Sequence, residues 1–321
     1  MLPDKPYKVL EVPTISDDFY HNIFGWSSSN LFSVCLDNNV YLLHAETGDI
    51  TKLYEAFDCE LVTSLQWNET GDQLAMGNIL GQVSIWDIHT QKEITNFDSH
   101  TDRVCAMDWK STLISGSKDN NIVQHDFREK SVKVKTYKSH KQEVCNVKWS
   151  PDEKMFCSGG NDNKVFIWSP QSSIPIMKES HSACVKAMAW SDSQYGILAT
   201  GGGAADKMIK TWNVQTRELL HERLTDSQVC SMVFSKHTND LITAHGYPNN
   251  EINIWRANGL KRVGSLFGHT ERVLYLNLSP CATNLVSCSG DETMRFWKLY
   301  EGFDKKGHVK KEQVLTSSKL R

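Results

Sequence analysis

Residues 140–168 read HKQEVCNVKWSPDEKMFCSGGNDNKVFIW, and this stretch decides the fold. An apolar alternation ends at Trp149 and is followed by a Ser-Pro-Asp turn and a strand of small residues that ends at Ser158. The turn Gly-Gly-Asn-Asp-Asn comes next, and a second alternating segment ends at Trp168. Short alternating segments separated by such turn residues are typical of β-strands. The stretch therefore predicts short strands joined by tight turns.

The same pattern recurs along the whole chain. The position that closes the second strand recurs at intervals of 39 to 44 residues, at Leu43, Trp86, His125, Trp168, Trp212, Trp255 and Trp297. The end of the preceding strand recurs in step, at Trp26, Trp67, Trp109, Trp149, Trp190, Phe234 and Leu278. All ten tryptophans of the chain fall on one of these two registers. Seven repeats of about 42 residues predict seven four-stranded sheets arranged in a closed ring.

This repeat resembles the WD-repeat β-propeller, and the predicted fold is an all-β, seven-bladed propeller over residues 16–299. Only Trp86-Asp87 keeps the closing dipeptide of that family intact. A ring needs its two ends joined, and the alternating residues 7–12, within an N-terminal extension over 1–15, are predicted to add the outer strand of the last blade. The Lys-rich residues 300–321 are predicted to form a flexible C-terminal tail.

The WD-repeat resemblance implies a polar network in each blade, which runs from a histidine to an acid and through a Ser or Thr to the closing tryptophan. The histidines follow the leading Ser or Gly of each repeat, at His100, His140, His181 and His269. The acid positions are Asp37, Asp119, Asp162, Asp206, Asn249 and Asp291, with Leu80 as the exception. The hydroxyl positions are Ser115, Ser158, Thr200, Thr243 and Ser287. A Ser-His-Asp set that recurs in several blades and lacks the motif G-x-S-x-G indicates architecture and not catalysis.

Composition argues against several classes of function. A formal net charge of -3 gives none of the basic excess of a nucleic-acid binder. No apolar run is long enough for a signal peptide or a membrane span, so we expect an intracellular, soluble protein without a membrane partner. Gly201-Gly202-Gly203 is not followed by Gly-Lys-Ser/Thr, and no histidine spacing fits a metal site. The sequence predicts no cofactor, no metal and no enzyme activity.

The nine cysteines are odd in number and include no C-x-x-C pair. Cys105, Cys145 and Cys230 each follow a valine at the same place in the repeat. We interpret them as small buried strand residues and not as ligands or disulfides.

One position of the repeat varies where its neighbours are constant. The residue before the strand-leading valine is Arg103, Glu143, Cys184, Gln228 or Arg272, and the amides Asn161 and Asn163 flank the structural Asp162. Structural positions that stay constant, next to polar loop residues that vary from blade to blade, favour a peptide-binding face. Ordinary solvated loop residues remain the alternative at this point.

Several longer stretches resemble one family closely. They are DDFYHNIFGWSSSN, HKQEVCNVKWSPD, SGGNDNKVFIW, LATGGGAADKMIKTWN, SQVCSMVFSKHTNDLITAHGY, GHTERVLYLNLSP and GDETMRFW. Over about residues 7–299 the chain is similar to the Fizzy and Fizzy-related proteins, which are the substrate-recognising coactivators of the anaphase-promoting complex. Its SKH, HGY and RVLYL motifs are more similar to those of the Fizzy-related branch. The resemblance implies a non-enzymatic receptor in nucleus and cytoplasm, monomeric outside the complex, for degron-bearing substrates such as cyclin-like proteins.

The resemblance also implies site residues. An Arg-x-x-Leu destruction box would place its arginine on Asp18 and Glu292, since two carboxylates can hold one guanidinium. A Lys-Glu-Asn degron would use Asn161, Asn163 and Arg272. Two positions depart from the family: Gly25 replaces its Asp and Ala204 replaces its Thr, which puts binding of this second degron in doubt.

Docking on the ligase would use the C-terminal Leu320-Arg321 in place of the family's Ile-Arg. About fifteen residues precede the first blade, so the family's N-terminal docking box is not among them, which fits either a compact or a shortened form. Two other functions stay open. Asp126-Phe127-Arg128 weakly indicates a receptor for a cullin-based ligase, and a scaffold without a role in degradation is the third reading.

Overall fold

The computed structural model describes residues 2–57, 60–127 and 133–300. Its strands form seven four-stranded antiparallel sheets, and the innermost strands of successive sheets lie side by side in a ring that closes between the first and last blades. The predicted seven-bladed all-β propeller is confirmed.

The strands follow one another without a helix in the described residues. They begin with β1 (Lys8–Glu11), and blade 1 contains β2 (Phe24–Trp26), β3 (Leu31–Leu36), β4 (Asn39–His44) and β5 (Ile50–Glu55). Blade 2 contains β6 (Val62–Trp67), β7 (Gln73–Asn78), β8 (Gln82–Asp87) and β9 (Lys92–Asp98). Blade 3 contains β10 (Val104–Trp109), β11 (Leu113–Ser117), β12 (Asn121–His125) and β13 (Lys133–Lys138). Blade 4 contains β14 (Val144–Trp149), β15 (Phe156–Gly160), β16 (Lys164–Trp168) and β17 (Met177–Ser180).

The last three blades repeat the arrangement. Blade 5 contains β18 (Val185–Trp190), β19 (Ile197–Gly202), β20 (Met208–Asn213) and β21 (Glu218–Leu224). Blade 6 contains β22 (Val229–Phe234), β23 (Asp240–His245), β24 (Ile252–Arg256) and β25 (Lys261–Leu266). Blade 7 contains β26 (Val273–Leu278), β27 (Asn284–Ser289) and β28 (Thr293–Lys298), and it receives β1 as its outer strand.

The chain closes its ring with this first strand. β1 pairs antiparallel with β28, with Lys8 opposite Phe296 and Glu11 opposite Thr293. The closure predicted for residues 7–12 is confirmed. Pairing the two ends of the chain within one sheet also covers an edge that would otherwise expose unpaired backbone groups.

Burial falls from the channel outward within each blade. The inner strand VCAMDW of β10 is buried at every position, whereas the outer strand KEITNFD of β9 is mostly exposed. The inner strands of blades 2 to 7 each carry a register shift after their first residue, which is a β-bulge. A bulge re-aims the side chain that it contains. The bulged residues are Thr63, Cys105, Cys145, Lys186, Cys230 and Leu274.

The three cysteines of this ring are buried and carry free thiols. The interpretation of Cys105, Cys145 and Cys230 as small buried strand residues is therefore confirmed. Their common place in the bulge explains why each of them follows a valine.

The polar network is complete in blade 4. The indole of Trp168 donates to the Ser158 hydroxyl at 2.9 Å, that hydroxyl lies 2.8 Å from His140 Nε2, and His140 Nδ1 lies 3.0 Å from Asp162. An indole only donates and an ionised carboxylate only accepts, so the set is satisfied when Ser158 donates to Nε2 and Nδ1–H donates to Asp162. Ser158 is fully buried, which keeps its hydroxyl away from any substrate.

Blades 5 and 7 repeat this network. The members are His181, Asp206, Thr200 and Trp212 in blade 5 and His269, Asp291, Ser287 and Trp297 in blade 7. Burial lowers the pKa of His181 and of His269, although each aspartate opposes that shift. The histidines therefore favour the neutral form that the network needs.

Four blades depart from the pattern, and in blade 2 Leu80 occupies the acid position while the Trp86 indole donates to Ser84 at 3.2 Å. In blade 3 the closing residue is His125, whose Nε2 lies 2.9 Å from Ser115 and takes the place of an indole. In blade 6 the network histidine is His245 of β23, whose Nε2 lies 2.7 Å from Thr243. No histidine of the described chain bonds to the side chains of Asp37 in blade 1 or Asn249 in blade 6. The assignment of an acid role to these two positions is wrong because their repeats lack the leading histidine.

Candidate functional site

Residues 17–22, called here the crossing segment, run from the last blade over the mouth of the channel to the first blade. The backbone N–H of Asn22 donates to the carbonyl of Thr63 in blade 2 at 3.0 Å. Its side-chain amide donates to the carbonyl of Cys105 in blade 3 at 2.6 Å and to that of Cys145 in blade 4 at 3.3 Å. One asparagine thus joins three blades at their bulges.

Lys186 of β18 in blade 5 binds the crossing segment. Its ammonium donates to the carbonyl of His21 at 2.8 Å and lies 5.3 Å and 5.0 Å from the ring centres of Phe19 and Tyr275. The side chain is 2% exposed, and no carboxylate of the described residues lies within ion-pair distance. Burial lowers the pKa of Lys186 to about 8 because the charged form loses its hydration. Cation–π contacts compensate for part of that loss.

Lys186 makes one contribution to the pH dependence of stability. Since its folded pKa of about 8 lies below the ordinary lysine value of 10.5, the unfolded chain binds more protons at this residue between pH 8 and 10.5, and the contribution of Lys186 to stability rises with pH across that window. Buried cysteines whose pKa is raised, among them Cys145 and Cys230, contribute in the opposite direction. Urea unfolding of wild type and Lys186→Met at pH 7.5, 9 and 10.5 isolates the lysine, because the wild type should gain stability relative to the variant as pH rises. Parallel pH profiles for the two proteins would contradict this assignment.

The strongest electrostatic feature of the face is a three-residue cluster over blades 3 and 4. Arg103 donates from Nε and Nη2 to the two carboxylate oxygens of Glu143 at 2.7 and 3.1 Å, and from Nη1 to Asp18 at 3.2 Å. Burial would lower the pKa of Arg103, but the hydrogen bonds and charge of Glu143 outweigh it and raise that pKa. Bidentate geometry makes this pair strong and directional.

Asp18 is held ionised by its surroundings. Burial raises the pKa of Asp18, but the hydrogen bond from the Tyr20 backbone and the charges of His21 and Arg103 outweigh burial and lower it. Its side chain is 33% exposed. The carboxylate therefore keeps a solvent-facing side while one oxygen is engaged by Arg103.

Tyr20 connects the crossing segment to the Gly-Gly-Asn-Asp-Asn turn. Its hydroxyl donates to the Asn161 carbonyl oxygen at 3.0 Å, and the guanidinium of Arg103 lies 5.5 Å from the centre of its ring. Burial raises the pKa of Tyr20 to about 12, and nearby acidic groups add to that shift. The phenol is therefore a neutral donor at physiological pH.

The crossing segment reaches blade 7 through Asp17. Its carboxylate lies 2.7 Å from Arg272 Nε, and a Cβ added to Gly290 would lie 2.7 Å from the same carboxylate. Asp17 is thus the aspartate that approaches the last blade. The pair is 54% and 30% exposed, so it contributes little to stability.

Asn163 and Glu292 occupy the same turn position in blades 4 and 7. Both have positive φ, at 64° and 58°. Asparagine tolerates this left-handed conformation well, whereas glutamate does so at a cost. Asn163 donates to the Ser182 carbonyl at 3.3 Å, and Glu292 accepts from the Thr14 N–H at 3.0 Å.

The structure brings some of the sequence-predicted residues together. Asp18 and Asn161 share one cluster through Arg103 and Tyr20. Arg272 is engaged by Asp17, and Glu292 accepts from the Thr14 N–H. Leu320, Arg321 and Arg128 lie outside the described residues.

The two positions that depart from the family lie in different surroundings. Ala204 is exposed at the turn of blade 5. Gly25 lies on β2 and lines the central channel, a cavity of about 180 Å³, where an added Cβ would lie 3.0 Å from Trp67 Cδ1. Among the described residues, no hydrogen-bond partner is found for the Ser33 hydroxyl or the Trp67 indole N–H, and a Cβ on Gly25 would lie 3.2 and 3.3 Å from these two atoms.

Sequence reasoning missed three residues of this face. Arg103 and Glu143 were recognised as variable tips, but Asp17, Tyr20 and Lys186 were not assigned a role. A signal was available for Lys186, because it occupies the bulged position that is cysteine in three other blades. No pattern marked Asp17 and Tyr20, which lie in a segment outside the repeat.

Within the described part of the chain, no group of three or more His, Cys, Asp or Glu side chains is placed to hold a metal ion. The search for a helix long and apolar enough to span a membrane finds none in those same residues.

Seven four-stranded blades around a central channel, with a histidine–aspartate–hydroxyl–tryptophan network in several of them, define a WD-repeat β-propeller. The model of the CDC20/Fizzy WD40 domain matches residues 10–297, and the chain belongs to that family. The resemblance to the Fizzy and Fizzy-related proteins is confirmed.

Named relatives place it beside the Fizzy-related branch. It is 44% identical to the B-type cell cycle switch protein ccs52A of Medicago truncatula over 93% of this chain and 63% of that protein. It is 43% identical to Protein FIZZY-RELATED 1 of Arabidopsis thaliana, over 92% and 62%. It is 42% identical to the APC/C activator protein CDH1 of Saccharomyces cerevisiae, over 92% and 52%. The chain thus spans between half and two thirds of these relatives' lengths.

The same fold occurs in one chain of a solved complex. A chain in the crystal structure of the mitotic checkpoint complex superimposes with a TM-score of 0.91 and 37% identity, and 94% of each chain is covered.

Proposed function

We propose that this chain is the substrate-recognising propeller of a coactivator of the anaphase-promoting complex. One observation carries the proposal. The crossing segment closes the channel mouth and presents Asp18, Tyr20 and Asn161 as one connected, half-buried polar surface. Such a surface suits an extended peptide that supplies charged and amide side chains. The propeller would contribute proximity and orientation to ubiquitin transfer and no covalent chemistry of its own.

The destruction-box arginine would bind between the crossing segment and blade 7. Asp18 keeps an exposed side, Glu292 is exposed, and Asp17 adds a carboxylate that the sequence did not assign. A guanidinium that enters here would meet three acids, with Arg272 on Asp17 and Arg103 on Asp18 as competing cations. Charge complementarity of this kind raises both the association rate and specificity.

The Lys-Glu-Asn degron would bind over blade 4. Asn161 offers its amide N–H groups, since its carbonyl oxygen is already taken by Tyr20, and Asn163 stands two residues away. Arg272 would have to exchange Asp17 for the peptide carboxylate. Gly25 lies in the channel, so a partner for the peptide lysine would have to come from the face itself. Weak single contacts would gain affinity by acting together.

The ligase would capture the last two residues, Leu320 and Arg321, through their side chains and free carboxylate. We propose that the protein acts in nucleus and cytoplasm and is monomeric outside the complex. Cyclin-like proteins that carry degrons would be its substrates.

Affinity purification tests the proposed partner. The intact chain should co-purify subunits of the anaphase-promoting complex, and a variant that lacks Leu320 and Arg321 should lose most of them. Recovery of a cullin adaptor in both samples would favour the cullin-based alternative. Recovery of neither ligase, with substrate half-lives unchanged by the truncation, would favour a scaffold.

A further inference from the structure

Two thiols meet at the junction of blades 4 and 5. Cys145 is the bulged residue of β14, and Cys184 immediately precedes β18. Their sulfur atoms lie 3.2 Å apart. A disulfide bond is about 2.05 Å long, so the sulfurs need to approach by only about 1 Å, which is within reach of side-chain rotation.

The surroundings of the pair make one thiol accessible and the other protected. Cys184 is half-buried and belongs to the ring of variable residues on the polar face, whereas Cys145 is fully buried beneath Tyr20 of the crossing segment. Burial raises the pKa of Cys145 well above its usual value. An outside reagent can therefore reach Cys184 and not Cys145.

The junction that the thiols span is held by two hydrogen bonds from side chains to carbonyl groups. Asn146 Nδ2 donates to the Lys186 carbonyl at 2.7 Å, and the Trp190 indole donates to the Lys148 carbonyl at 3.0 Å. These contacts fix the two strands beside the thiols, since Cys145 is the second residue of β14 and Cys184 immediately precedes β18. The sulfurs are consequently positioned by the packing of two blades and not by a mobile loop.

We propose that Cys145 and Cys184 form a reversible disulfide, a modification site that closes the blade 4–5 junction beneath the polar face. The reagent is a small-molecule disulfide such as oxidised glutathione. This inference is independent of the peptide or ligase that the face binds.

The chemistry proceeds in two exchange steps. The Cys184 thiolate attacks one sulfur of the reagent, the reagent S–S bond breaks, and one glutathione thiolate leaves. Cys145 rests as the thiol and gives its proton to the released glutathione thiolate as its sulfur attacks Cys184 Sγ and displaces the second glutathione thiolate. The two cysteine protons end on the two glutathione thiolates. Two protein thiols are oxidised and one reagent disulfide is reduced, so atoms and electrons balance.

The cross-link has a structural consequence. It closes a loop between residues 39 positions apart and constrains the unfolded chain. We expect oxidation to raise the unfolding temperature by about 5 °C. It also removes a thiol from beside Tyr20, whose hydroxyl holds Asn161.

Peptide mapping tests the proposal on the full chain. The protein is incubated with oxidised or reduced glutathione, blocked with an alkylating agent and digested without reductant. A peptide pair joined through Cys145 and Cys184 should appear only after oxidation, and the intact mass should fall by two hydrogen atoms. Cys184→Ser should abolish that pair and the rise in unfolding temperature.

Cys281 supplies the matched control, because it is also half-buried but lies in blade 7, where its sulfur contacts Ser279 and Thr283. Cys281→Ser should leave the cross-link intact. A stable glutathione adduct on Cys184 with no joined peptide would overturn the proposal. Equal cross-linking in urea-unfolded protein would also overturn it, since the folded geometry would then play no part.

Discussion

Asp162→Ala should lower the free energy of unfolding by about 4 kcal/mol, the value expected for loss of a buried, multiply bonded carboxylate. Asp162 accepts from His140 Nδ1 at 3.0 Å and from the backbone N–H groups of Lys141 and Lys164 at 2.9 and 3.1 Å. Its removal would leave three donors without their acceptor at the edge of blade 4. Urea denaturation followed by tryptophan fluorescence measures the change.

The neighbour Asn161 is the matched control, because it lies in the same turn but serves the face. Asn161→Ala should cost less than about 1 kcal/mol, since the side chain loses only the partly buried hydrogen bond from the Tyr20 hydroxyl. Equal losses in the two variants would contradict the division of this turn into scaffold and site.

Asp162 should also affect how much stability the protein loses as the pH falls. Burial raises the pKa of Asp162, but the hydrogen bond and charge of His140 outweigh burial and lower that pKa below 3.8. A depressed carboxyl pKa contributes stability that is present above the unfolded value and is lost as pH falls through the folded one. Asp162→Ala should therefore lose less stability on acidification than the wild type.

Glu143→Ala should lower the free energy of unfolding by about 3 kcal/mol, because it leaves Arg103 partly buried without its bidentate partner. Glu143 is 7% exposed and also accepts from the Cys105 thiol at 2.8 Å. With Glu143 removed, Arg103 should pair more fully with Asp18 and weaken the binding of a cationic peptide. Thermal unfolding and a peptide titration on the same sample measure the two effects.

Arg103→Ala and the double variant complete a thermodynamic cycle for this pair. Arg103→Ala should cost at least as much as Glu143→Ala, because it leaves the Glu143 carboxylate, whose side chain is 8% exposed, without its guanidinium partner. A coupling energy near zero would show that the cluster on blades 3 and 4 is not a unit.

The repeat pattern predicted the scaffold because each blade buries the same positions of its strands. Tryptophans in two registers marked two strands per blade, and the position of Asp162 followed from Trp168. The same logic failed in blade 6, where Asn249 was aligned to an acid. The network histidine of blade 6 is His245, which comes from β23 and not from a leading dipeptide, and no leading histidine is present to pair with Asn249. An alignment by spacing cannot detect a histidine that another element supplies.

The polar face was predictable only where the repeat positions its residues. Arg103 and Glu143 stand 40 residues apart, close to one period, so equivalent positions on adjacent blades could have been paired from spacing alone. The contact between Arg103 and Asp18 joins residues 85 positions apart through a segment outside the repeat. Its path depends on where Asn22 finds free carbonyl groups at the bulges, which only the folded ring defines.

A titration of the intact chain with a fluorescent Arg-x-x-Leu peptide tests the central claim most directly. The wild type should bind saturably, and the same peptide with Ala in place of Arg should bind at least tenfold more weakly, as expected for loss of a guanidinium held by carboxylates. An Asp18→Arg, Glu292→Arg double variant should bind both peptides equally weakly, with thermal unfolding as the control for its fold. Equal binding of the Arg-x-x-Leu peptide by the wild type and the folded double variant would contradict the account.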